Sequence, residues 1–187
     1  GTAVVAVVMG LFLAYSARIY KGRAQAWVNR LVSLGYALPG SVLAVGILLF
    51  LGYFDLGWLL TGSVLVLMYA YLVRFLSSSL QSIEAGLAKI TPSMDASAVS
   101  MGLNHLQVLW EIHLPLLNRS LLTAAIFVFV DVMKELPATL MLRPFNFDTL
   151  AVVTFQLASD ERLAEAVIPA FTIVLAGLIP VFILSKS

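Results

Sequence analysis

Five stretches of this chain, near residues 2–19, 31–53, 58–76, 117–141 and 163–185, are apolar almost throughout. A helix needs ~20 such residues to cross ~30 Å of hydrocarbon, and each stretch supplies about that number. An open strand edge in lipid would leave backbone groups unpaired, so the stretches must be helices. The composition agrees, with 61% hydrophobic and 11% charged residues, where an ordinary soluble domain carries ~45–50% and ~25%. Mean hydropathy is +1.00. The expected fold class is therefore an all-α polytopic membrane protein of about five transmembrane helices. The second stretch is interrupted by Gly35-Tyr36-Ala37-Leu38-Pro39-Gly40. That run predicts either a proline kink tolerated by neighbouring helices or a hinge at Pro39 and Gly40 lining a pathway.

Basic residues orient such a chain, because short cytoplasmic segments are enriched in Lys and Arg. Arg18, Lys21, Arg23 and Arg30 lie between the first two spans, Arg74, Lys89 and Arg119 bound or occupy the segment between the third and fourth, and Lys186 ends the chain. The opposite side holds Arg143 and Arg162 among Asp55, Asp148, Asp160 and Glu161. The 77–116 loop and the C-terminus are thus expected in the cytoplasm. Gly1 stands where an initiating Met would, so a piece of a longer or processed chain is expected. The opening run also lacks the basic first region and cleavage site of a signal peptide.

The cytoplasmic loop divides into short helices by its own chemistry. Ile83, Leu87 and Ile90 recur at helical spacing. Thr91 suits an N-cap, with Pro92 at the first helical position and Asp95 in the first turn. Met94, Ala98 and Met101 form one apolar face, and Gly102 is placed to end that helix in a left-handed conformation. Asn104 and Gln107 have capping-box spacing, and Pro115 is expected to stop the following helix at Leu114. A helix–glycine–helix elbow suits a knob that docks in a partner's groove, since Ala96, Ser97 and Ala98 are small. Its competitor is an amphipathic linker resting on lipid headgroups.

Several chemistries are excluded or unsupported. The chain has no cysteine, which rules out disulfides and thiol catalysis. No G-x-x-x-x-G-K-[ST], Rossmann glycine set or H-E-x-x-H is present. His105 and His113 stand eight apart, which is not metal-ligand spacing on one helix, so they are expected to face solvent or a partner and no metal site is expected. The fourth span carries Asp131, Lys134 and Glu135 among apolar residues, with Pro137 just after. Charge at such depth is costly unless paired or hydrated. Lys134 therefore either ties Asp131 or a neighbouring helix as a tether, or the group lines or gates a polar route. The first, second, third and fifth spans are expected to offer no ionisable partner in their apolar interiors. Beyond Arg143-Pro144-Phe145-Asn146-Phe147-Asp148, a short outer helix is expected before residue 162, as an exposed loop or a docking surface.

The loop then acquires a sharper meaning. Asp95-Ala96-Ser97-Ala98, then Gly102, then Ile112, Leu114 and Pro115 resemble the cytoplasmic signature of ABC importer permeases: E-A-A, three residues, Gly, nine residues, I-x-L-P. Here Ala96 holds the glutamate's place, with Asp95 one position earlier. The run from Lys134 to Ala151, the segment Leu157 to Ala166 and the Gly35–Gly40 run resemble ferric-iron permeases of this MetI-like superfamily. The resemblance spans essentially the whole chain and corresponds to the C-terminal half of a two-half permease. It implies a multi-pass bacterial inner-membrane subunit whose elbow couples to an ABC ATPase dimer. That dimer would bind ATP and Mg, this chain binding no cofactor. It also implies a periplasmic substrate-binding protein and a second permease half or copy, with no nucleic acid. Another small solute (thiamine, molybdate, sulfate or a phosphonate), an intramembrane enzyme and a passive channel stand as alternatives.

Overall fold

The computed structural model describes residues 1–20 and 22–186, apart from the side chains of 58, 59 and 183–186. Lys21 and the Lys186 side chain, both counted in the charge asymmetry, lie outside the described residues. The described residues are predominantly helical, with no strand among them. In order it forms α1 (Thr2–Ile19), α2 (Arg23–Ala37), α3 (Gly40–Tyr53), the short α4 (Gly57–Leu60) and α5 (Val64–Leu87). Then come α6 (Pro92–Ser100), one turn of α7 (His105–Gln107) and a π-helical segment (Val108–His113) that runs directly into α8 (Leu114–Met133). Three helices follow: α9 (Pro137–Leu142), α10 (Leu150–Ser159) and α11 (Leu163–Lys186).

Helices α1, α5, the 29-residue run His105–Met133 and α11 are each long and apolar enough to cross a membrane. A fifth crossing requires α2 and α3 together, and their axes turn by 112° at the break. The interruption at 35–40 is thus a full break, with Pro39 starting α3 in place of an amide that could continue α2. Helix α5 is the axis of the structure. Helices α1, α2 and α8 all pack along it, and small residues let them come close: a methyl on Gly35 would collide with the Val73 carbonyl, and one on Gly86 with Ser120. Two apolar clusters fill the bundle. Phe75, Leu67, Val128 and Leu142 anchor one, and Leu80, Ile83, Leu109 and Leu117 the other.

Three sequence boundaries need correction. The third span begins at Val64, where the Ser63 side chain accepts the Val66 N–H, and continues to Leu87. The first part of the expected 77–116 loop is therefore the amphipathic end of α5, held by burial of Leu80, Ile83 and Leu87. The fourth span begins twelve residues earlier than expected and ends at Met133 instead of Met141. Pro115 does not stop the helix. The Leu114 N–H bonds to the Leu109 carbonyl in the wider π register, which relieves the proline ring's clash with the preceding turn and lets the helix pass through.

Candidate coupling elbow and intramembrane joint

Helix α6 and α7 meet in the elbow that the loop chemistry predicts. Gly102 has φ +92°, a left-handed conformation that costs an L side chain ~1 kcal/mol or more. Around it the Leu103 N–H bonds to Ala98 O at 3.2 Å and the Gly102 N–H to Val99 O at 2.9 Å, so the last carbonyls of α6 are satisfied by a Schellman closure. The next helix opens with a full capping box: Asn104 Oδ1 accepts the Gln107 N–H, and Gln107 Oε1 accepts the Asn104 N–H, both at 2.9 Å. Thr91 occupies the N-cap of α6, but its hydroxyl meets Ser93 Oγ instead of a backbone amide. Of the signature residues, Ala96, Ser97, Gly102 and Pro115 are exposed, Ile112 and Leu114 are half-buried, and Ala98 is buried. Met94 and Met101 are exposed, and with Ser97, Leu103 and Ile112 they line an open groove along the elbow.

What fixes the elbow to the membrane bundle was not legible in the loop. Asp95 is the hub. Arg18, at the end of α1, donates from Nε to Asp95 Oδ2 at 2.7 Å, while His113 Nε2 lies 2.8 Å from Asp95 Oδ1. Arg18 also donates to the carbonyls of Leu87 and Ile90 at the end of α5, so one guanidinium caps α5 and holds α6. Tyr15 donates its hydroxyl to the His105 carbonyl and sets its ring edgewise against His113. Burial pushes the Asp95 carboxyl up, but hydrogen bonds from Arg18 and His113 and the Arg18 charge outweigh it and hold Asp95 below its ordinary value. His113 corrects the expectation of two outward-facing histidines: His105 is exposed, whereas His113 is 1% exposed.

The charges of the fourth span separate into two pairs. Asp131 and Lys134 pair one turn apart at 2.8 Å, with Lys134 60% exposed. Glu135 does not join them. Its carboxylate, 7% exposed, lies 2.5 Å from Nη1 of Arg74. Sequence reasoning set Arg74 at the cytoplasmic edge of the third span. Because α5 runs on to Leu87, Arg74 sits ten residues into a 24-residue helix. The third span thus does supply an ionisable partner within the bundle, contrary to expectation, and the signal for it is the helical spacing of Leu80, Ile83 and Leu87 beyond Arg74. Glu135 Oε1 also accepts the Ala138 N–H at 3.1 Å, so it caps α9, where Pro137 begins the first turn. Thr139 donates to the Glu135 carbonyl at 2.6 Å, which leaves Tyr71 as the donor to Thr139 Oγ1 at 2.7 Å. Of the predicted hinge, Gly40 is buried against this group and Pro39 is exposed.

A model of the family described as binding-protein-dependent transport system inner membrane component matches residues 6–186. The chain belongs to this family. The match takes in α1 almost entirely, the elbow and both helix breaks. Among individual relatives, the Fe(3+)-transport system permease protein FbpB 2 of Haemophilus influenzae is 30% identical over 186 residues, which is 98% of this chain and 36% of that protein. A Salmonella typhimurium protein named as a 2-aminoethylphosphonate transport system permease, PhnV, is 29% identical over 174 residues, 92% of this chain and 64% of its own length. The ferric transport system permease protein FbpB of Actinobacillus pleuropneumoniae is 26% identical over 159 residues, 85% of this chain and 21% of that protein. The chain thus spans about a third of the length of the first relative and less than two thirds of the second.

Proposed function

We propose that this chain is a membrane-spanning part of the permease of an ATP-driven importer, moving a solute delivered by a periplasmic binding protein into the cytoplasm. The observation that carries the proposal is the elbow. A helix ended by a left-handed glycine presents small exposed side chains at Ala96 and Ser97 while Asp95 anchors it from behind to α1 and to the π-helical segment. A headgroup-resting linker would need no such anchorage. Asp95 to Ala98, Gly102, Ile112, Leu114 and Pro115 form the coupling surface for a separate ATPase dimer, which binds ATP and Mg. Helices α8 and α11 leave most of their apolar surface uncovered by this chain, and a second permease half fits against it. Asp131 and Lys134 then face the route between halves, Glu135 and Pro137 shape its wall, and Pro39 with Gly40 forms the hinge.

The solute is ferric iron in this reading, since the ferric permease relative aligns over nearly the whole chain. No group of three His, Asp or Glu side chains among the described residues can hold a metal ion, so the reading assigns iron selection to the binding protein. A second reading, an aminoalkylphosphonate, is favoured by the comparable identity of the phosphonate permease relative. Uptake into proteoliposomes bearing the full permease, its ATPase and its binding protein separates them. Radiolabelled ferric iron, and not 2-aminoethylphosphonate, should accumulate on ATP addition, and the reverse result assigns the phosphonate. Orientation is tested in the same permease with any other cysteines replaced: a cysteine at Asn104 should label from the cytoplasm and one at Asn146 from outside. Labelling of both from one side contradicts the topology.

A further inference from the structure

Both breaks in the membrane helices meet at one carboxylate. Helix α2 gives way to α3 at Leu38-Pro39 with a 112° turn, and α8 gives way to α9 across residues 134–136. Glu135 lies in the second break, capping α9 through the Ala138 N–H. Gly40, the first residue of α3, lies against the same group: a methyl there would overlap both Glu135 Oε1 and Arg74 Nη1. The start of α3 is therefore packed on the ion pair with no side chain between. The carboxylate thus sits where both α3 and α9 begin. Its cation is planted on α5, which is unbroken, about 15 Å from that helix's outer end at ~1.5 Å per residue.

Stability alone gives no reason for such a pair. Buried ion pairs are often replaced by apolar residues without loss, and charge at mid-membrane depth is costly. What the pair adds is a directional link between one continuous helix and two short ones. We propose that Arg74 and Glu135 are positioning residues of the transport cycle, forming a joint that holds α3 and α9 together as one body pivoted on α5 at Arg74. Gly40 is packed against the joint, whereas Leu38 and Pro39 beside it are exposed. This inference rests on the transport reading above.

The test uses the full permease with its ATPase and binding protein in proteoliposomes. The double variant Arg74→Met, Glu135→Gln leaves no unpaired buried charge, so it should insert and assemble. Basal ATP hydrolysis should stay within about twofold of wild type while uptake falls at least about tenfold. A second readout needs the joint intact. Single cysteines at Val42 on α3 and Leu140 on α9, both exposed, should change their rate of maleimide labelling together when a non-hydrolysable ATP analogue is added. In the double-variant background the two should change independently. Near-wild-type uptake by the double variant overturns the proposal, as does independent labelling of the two cysteines in the otherwise native protein. Failure of the double variant to insert also overturns it, because the pair would then serve the fold. Absence of ATP-driven uptake by the wild type instead removes the transport reading, and this inference with it.

Discussion

Asp95 and Glu135 are two carboxylates with the same wiring and different surroundings. Each takes a guanidinium from another helix, Arg18 in one case and Arg74 in the other. Each lies where a new helix begins, Asp95 in the first turn of α6 and Glu135 at the cap of α9. Asp95 keeps 31% of its side chain exposed at the elbow, however, and Glu135 keeps 7% between helix breaks. Water can replace much of what Asp95 would lose, because ion pairs near the surface are worth little in net terms. Nothing replaces the partner of Glu135. The same bond is therefore a releasable tether at the elbow and a fixed joint within the bundle. That difference is what a machine needs if its cytoplasmic surface must respond to a partner while its membrane helices keep their connections.

The largest effect should come from breaking the inner pair on one side. Glu135→Leu strands Arg74 in an apolar bundle and should destabilise the protein by about 3–5 kcal/mol, read as a drop in the thermal unfolding temperature in detergent. An Arg74→Met change added to it should recover most of that loss. If the single variant unfolds like the wild type, the two carboxylates do not differ as claimed. Asp95→Ala should be milder, about 1 kcal/mol, and local. Faster amide exchange confined to α6 should report it, since Arg18 keeps its carbonyl partners at Leu87 and Ile90 and the end of α5 stays capped. Equal loosening throughout α8 would make the elbow as rigidly joined as the inner site.

The smallest effect is a pH dependence confined to the elbow. The folded Asp95 carboxyl lies below its ordinary value of 3.8, so the folded state holds its proton less tightly than the unfolded one. Its contribution is complete well above 3.8, begins to fade as pH falls into that range, and is gone below the folded value. Exchange at α6 should rise on acidification in the wild type and lose this dependence in Asp95→Asn. A matching acid response in that variant would place the titrating group elsewhere.

Much of the elbow was legible because its signals are local. Gly102, the Asn104–Gln107 box and Pro92 act within a few residues of themselves, and the structure uses each at the predicted place. The apolar stretches were legible for the same reason, since length and hydropathy are properties of a segment, but only four helices suffice alone and a fifth crossing needs α2 and α3 together. The inner joint was not legible, because its parts come from three places: Gly40, Arg74 and Glu135 meet only after α3, α5 and the α8–α9 break have packed together. The Arg18–Asp95 bond joins residues 77 apart, and no periodicity announces it. Helix ends misled where local rules conflict with continuation. Pro115 predicts a stop, and the π-helical turn before it removes the clash that would have made one.

Whether the loop is a coupling surface whose shape depends on one left-handed residue can be decided at Gly102. A Cβ there would meet nothing within 4 Å, so Gly102→Val introduces backbone strain without a collision. The full permease carrying this change should reach the membrane in normal amount, bind its ATPase at least about tenfold more weakly, a loss of ~1.4 kcal/mol, and lose ATP-driven uptake. Normal insertion with normal ATPase binding and uptake would contradict a coupling role and leave the elbow a surface linker.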